Sequence, residues 1–144
     1  MTKKQYIEYT EKRAEKSPVL LNCIKAFLVG GLITLTGEIF SQIFLYFNNN
    51  LENSQMLASI SLIFLSALLT SIGLFDKIAK FGGGGALIPI TGFANSVVAP
   101  AIEAKSEGYV TGVASKIFTI AGPVIVFGVF SSFVYGVIYY FTSL

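Results

Sequence analysis

The chain has no histidine, a single cysteine and few charges: ten basic and eight acidic residues in 144, or 12%. The missing histidine removes Ser-His-Asp and Cys-His catalysis, imidazole general bases and most transition-metal sites. One cysteine, Cys23, forms no internal disulfide. Between Asn22 and Lys25 it reads as a small packing residue, with a redox or palmitoylation role as the alternative. Soluble domains carry about 25% charged residues, twice the share here. With 53% hydrophobic residues and a mean hydropathy of +0.71, the chain reads as one integral membrane domain. Its net charge of +2 does not point to nucleic acid, because the basic residues are not gathered on an aromatic-studded surface.

Residues 1–17 are polar and lack the apolar stretch of a signal peptide. Glu8 and Lys12 are spaced for a helical ion pair, so this segment is expected to be a cytosolic helix or tail. It serves either solubility or the docking of a soluble partner. Ser17 followed by Pro18 predicts a helix restart with a capping hydroxyl and proline at the first helical position. Residues 18–144 form the membrane domain.

Spans are expected at about 26–47, 56–75 and 117–141, with a broken segment at 86–101. The first would rise about 33 Å, enough for a hydrocarbon core of about 30 Å. Its faces differ: Gly30, Thr34, Glu38 and Gln42 recur every fourth residue beside Gly37 and Ser41, and leucine and isoleucine fill the rest. That pattern predicts a lipid face and a packed or wet face. Glu38 lies near mid-span, where a charged residue costs about 2.5–3.5 kcal/mol on insertion scales and normally points inward. It faces either a pore or subunit, or a neighbouring helix as a hydrogen-bonded neutral carboxyl. The second span is uncharged, with Ser59, Ser66, Ser71 and Gly73 suited to close approach. In the last span Gly128, Ser132 and Gly136 form a small-residue stripe, and Gly108 and Gly112 have GxxxG spacing. Basic residues cluster before the first span and after the second, with none between, so the N-terminus is expected to be cytoplasmic.

The most informative stretch is FGGGGALIPITGFANSVVAP, residues 81–100. A smooth spanning rod is poorly served by four successive glycines, then Pro89, Gly92, Asn95 and Pro100. Irregular backbone at membrane depth is tolerated where protein shields it or where it lines a cavity. Either a short crossing or a re-entrant hairpin fits, and the side of the C-terminus depends on which. Gly82 to Gly85 lack the lysine and hydroxyl of a phosphate loop. A glycine turn entering a helix still exposes N–H donors, as broken transporter helices do. The candidate path residues are Gly82, Gly83, Gly84, Gly85, Thr91, Gly92, Asn95 and Ser96. The alternative is a flexible hinge, with Thr91 and Asn95 bonded to a neighbouring helix. The fold class is therefore all-α: a polytopic membrane helix bundle with three full spans plus a short broken or re-entrant segment. The scattered acidic residues argue against an enzyme, and neither cofactor nor metal site is expected.

Three stretches carry a family resemblance: KSPVLLNCIKAFLVGGLI (16–33), SALLTSIGLFD (66–76), and IPITGFANS (88–96) with AIEAKSEG (101–108). Together they resemble the stage V sporulation protein AC family of spore-forming Firmicutes, over nearly the whole chain from about residue 16. The chain departs from that pattern in its fuller glycine run at 82–85 and in Glu38, where glutamine is expected. The resemblance implies a multi-pass protein of the forespore and spore inner membrane. It further implies partnership with an AE-type membrane subunit and a soluble AD-type subunit that binds dipicolinic acid, as a hetero-oligomer. The implied function is movement of dipicolinate with calcium during sporulation and germination. A tension-gated homo-oligomeric pore of low selectivity, or a scaffold recruiting soluble partners, are the alternatives. It implies no catalytic residues.

Overall fold

The computed structural model describes Lys3, Tyr6, Ile7, Tyr9 and residues 17–143. The Glu8–Lys12 pair, most of the 1–17 preamble and Leu144 lie outside the described residues. Among the described residues every regular element is helical.

Helix α1 runs from Val19 to Asn48 (30 residues), about 45 Å of rise. It starts seven residues before the expected span at Ala26. Pro18 stands at the capping position and no side chain caps the end, so the expected Ser17 cap is not formed. The polar loop expected at 48–55 contracts to Asn49 and Asn50. Asn49 takes the left-handed conformation (φ 51°) and its N–H bonds to the Leu45 carbonyl, a turn that asparagine tolerates well. Asn50 then caps helix α2 (Leu51–Ser71), its side chain accepting from the Asn53 N–H at 3.1 Å. α2 ends before Phe75, earlier than expected, where the chain turns at Gly73.

The bundle is inside-out relative to a soluble core. Its buried residues are mainly small: Ala58, Ala86, Ala94, Ala101, Ala104, Ser41, Ser54, Ser66 and Thr91, with Val29 and Phe75 the larger exceptions. Leucines, isoleucines and phenylalanines cover the outside. In lipid, large apolar groups gain nothing by turning inward, so association depends on close backbone approach and interhelical hydrogen bonds.

Beyond α2 the chain forms α3 (Phe75–Gly82), α4 (Gly84–Leu87) and α5 (Ile90–Glu103). A 3-10 turn (Ala104–Glu107), a π turn (Tyr109–Ala114) and α6 (Ser115–Thr142) follow. Gly83 breaks α3 from α4 at φ 51°, ψ −126°, a backbone state that an L side chain strains to adopt. Gly108 and Gly112 do not form an interhelical contact of their own. Gly108 makes the turn before α6, and Gly112 sits against the Ala104 carbonyl within that turn.

Two hydrogen bonds fix how the broken segment lies. Ser66 Oγ donates to the Thr91 carbonyl (2.6 Å), and Thr70 and Asn95 bond through their side chains (2.9 Å). Both pairs have the same offset of 25, so α5 runs parallel to α2. α6 then runs antiparallel to α5, since Val97 and Val98 share a crevice with Val113 and Ile117 near the Lys105–Tyr109 turn. The segment therefore enters and leaves at one end of the bundle. Of the two forms left open by the sequence, it takes the re-entrant one, and α6 carries the C-terminus to the end opposite the start of α1.

Candidate functional site

The re-entrant hairpin leaves a cleft of about 460 Å³ between α2, α3 and α5. Thr70 and Asn95 form its inner wall, and Asp76, Lys80 and Glu103 stand at its mouth, with Gly73, Ala79, Leu87 and Ala99 between. α3 places the charges. Asp76, Lys77 and Lys80 are exposed while Phe75 and Gly82 are buried, so this short helix turns its apolar side to the bundle. The Lys80 ammonium lies 2.7 Å from Asp76, an exposed i,i+4 pair worth well under 1 kcal/mol. Each partner is therefore free to be drawn off by a charged visitor at low cost.

Thr70 Oγ1 is also 2.8 Å from the Ser66 carbonyl. Its one hydrogen serves that carbonyl or the Asn95 side chain. In either arrangement the Asn95 amide is held against α2 while it lines the cleft. Thr91, one turn earlier, lies deeper. Its hydroxyl is buried without a hydrogen-bond partner and lines a separate cavity of about 70 Å³ with Ile33, Thr36, Leu62, Ser66 and Phe75. Thr91 and Asn95 thus share the α2-facing side of α5, as their spacing suggests, but line different spaces.

The other candidate path residues occupy other positions. Gly82 is buried against Val29, and a Cβ at Gly85 would overlap the Ala26 carbonyl. Both face α1. Gly83 and Gly84 are exposed at the turn, and Gly92 is buried where a Cβ would overlap the Leu87 carbonyl. Ser96 is exposed, its hydroxyl bonded to the Phe93 carbonyl at 2.7 Å. On α1, Gly30 faces Gly85, whose carbonyl oxygen a Cβ at Gly30 would meet at 3.4 Å, but the rest of its stripe turns outward. Thr34, Glu38 and Gln42 are exposed, Thr34 bonded to its own helix backbone and Gln42 Nε2 donating to Glu38 Oε1 at 2.7 Å. The side turned into the bundle is instead Val29, seated against Gly82 of α3, with Ile33, Gly37 and Ser41, where Leu62 of α2 closes on Gly37. Both rows drift about 40° per step around a 3.6-residue helix. The row from Val29 stays within about 60° of the packed side's centre, whereas the row from Gly30 starts off that centre and drifts outward through Thr34, Glu38 and Gln42. Gly128, Ser132 and Gly136 are exposed, with nothing within 4 Å of a Cβ at either glycine.

Sequence reasoning passed over Thr70, Asp76, Lys80 and Glu103 as site residues. The available signal was the i,i+4 polar pair Ser66/Thr70 on a span without charge, matching Thr91/Asn95 in spacing.

Among the described residues, three apolar helices of spanning length, a re-entrant hairpin and a polar cleft at one end define a polytopic helical membrane protein. The chain belongs to the SpoVAC/SpoVAEB sporulation membrane protein family, whose model matches residues 22–138. It is 43% identical over 137 residues to stage V sporulation protein AC of Bacillus subtilis (strain 168), covering 94% of this chain and 91% of that one. No solved structure matches it.

Proposed function

We propose that this sporulation membrane protein is a subunit of a channel or transporter that passes dipicolinate, with calcium, across the forespore and spore inner membrane. It works with an AE-type membrane subunit and a soluble AD-type subunit. The carrying observation is the cleft, in which the Asn95 amide lies behind a mouth formed by Lys80, Asp76 and Glu103. A rigid planar dianion needs N–H donors and a cation on its route, and an accompanying divalent cation is drawn by the carboxylates at the same mouth. Small residues at Gly73, Ala79 and Ala99 leave room between them. The count of basic residues puts this end of the bundle in the cytoplasm together with the N-terminus.

The test is dipicolinate flux through the reconstituted complex. Asn95→Leu is expected to lower flux at least tenfold with assembly intact. Thr91→Val, which alters the separate, largely apolar cavity beside it, should leave it within twofold. Full flux through a stably assembled Asn95→Leu complex removes the lining role of this cleft.

A further inference from the structure

We propose that the Glu38–Gln42 pair on the outward face of α1 is the contact by which a second copy of this chain docks, α1 against α1. At 100° per residue, Gly31, Thr34, Glu38 and Gln42 fall within about 40° of Glu38. Val29, Thr36 and Phe40, on the side packed within the bundle, lie about 160–180° away. The packed row Val29, Ile33, Gly37 and Ser41 is centred about 120° from Glu38 and about 160° from Gln42, with buried Ser41 about 60° from Glu38, so the polar pair lies on the exposed side of α1. It sits at the level of Leu62, through the Gly37 contact, near the middle of a span whose exposed side is mainly apolar, with Thr34 bonded to its own helix backbone.

A carboxyl and a primary amide exposed at that depth are costly when lipid is their only neighbour. The intrahelical bond uses one N–H of Gln42 and one oxygen of Glu38. It leaves the second N–H and the amide oxygen of Gln42, and the second oxygen of Glu38. That remainder is self-complementary. Copies related by rotation about the membrane normal present the same residues at the same depth. The spare Gln42 N–H of one copy then meets a Glu38 or Gln42 oxygen of the other. Gly31 and Thr34, on the same face two turns and one turn earlier, are small enough for the two backbones to approach. Phe27 and Leu45 lie on the same face about 20° from Glu38 and bracket the polar pair with apolar contact, while Leu28, Leu35 and Ile39 lie to its side. The contact does not depend on what the protein conducts.

The experiment uses the full chain in phospholipid bilayers in a Cys23→Ser background. Oxidation of Gly31→Cys is expected to give a disulfide dimer, while Leu32→Cys, about 100° around the helix, should not. Adding Glu38→Leu and Gln42→Leu should remove the Gly31→Cys crosslink and raise the dissociation constant of the dimer about tenfold. Glu38→Gln, which keeps the hydrogen-bonding groups, should restore both. The leucine variant should retain its unfolding temperature, since neither residue touches the chain's own core. A chain that stays monomeric at high protein-to-lipid ratio overturns the proposal. So does a dimer indifferent to the two leucines, or one crosslinked equally through Leu32→Cys.

Discussion

Ser66 and Thr91, on helices that the hairpin brings together, are satisfied unequally: the Ser66 hydroxyl donates to the Thr91 carbonyl at 2.6 Å, while the Thr91 hydroxyl ends unpaired in the cavity that both line. One side chain of the pair stabilises the hairpin and the other costs it. Ser66→Ala should lower stability by about 1 kcal/mol, the net worth of one such bond. Thr91→Val should be neutral or stabilising by up to about 1 kcal/mol, because it removes a desolvated hydroxyl. Unfolding midpoints followed by circular dichroism in mixed micelles compare them. Equal losses from both variants would mean that a water in the 70 Å³ cavity completes the Thr91 hydroxyl.

The glycine run is a contact surface as much as a break. A methyl at Gly85 has no room beside the Ala26 carbonyl, whereas Gly84 has only the tip of Ile88 at 3.5 Å. Gly85→Ala should therefore loosen the hairpin from α1 and cost about 1–3 kcal/mol, the usual range for forced overpacking. Gly84→Ala should cost under 1 kcal/mol. Limited proteolysis around residues 80–90 reads the difference. Equal protection of the two variants would show that α4 is not seated on α1 as described.

Re-entrance has a topological consequence. With the Cys23→Ser chain in oriented vesicles, single cysteines at Ser106 and Ser143 should react with a membrane-impermeant maleimide from opposite sides. Ser106 should share the side of the α1 start. Labelling of both from one side would mean that the 75–103 segment crosses, and the parallel pairing of α2 with α5 would have to be abandoned.

Much of this architecture is written locally. The apolar runs, the Asn49–Asn50 turn and the glycine–proline breaks each act within a few residues, so the spans and the interruption between them are readable without coordinates. The cleft is less so. Asn95 stands out as a polar group in an apolar helix, but Thr70, Asp76, Lys80 and Glu103 belong to three helices and become neighbours only when α5 doubles back along α2. The helical period separates the faces of α1 and leaves open which one is packed. In water the apolar face would turn inward. In lipid both faces have a medium or a partner available.

The amino-acid sequence by itself settled membrane residence, three spanning helices and the place where the chain is broken, because apolar length, charge scarcity and glycine or proline backbone preferences act residue by residue. Only the tertiary structure decided that the broken segment returns to the end it came from, and that Glu38 faces away from its own bundle. Those outcomes depend on two side-chain bonds between residues 25 apart and on a glycine contact between α1 and α4. Such contacts depend on how helices approach one another, a property that no local stretch encodes.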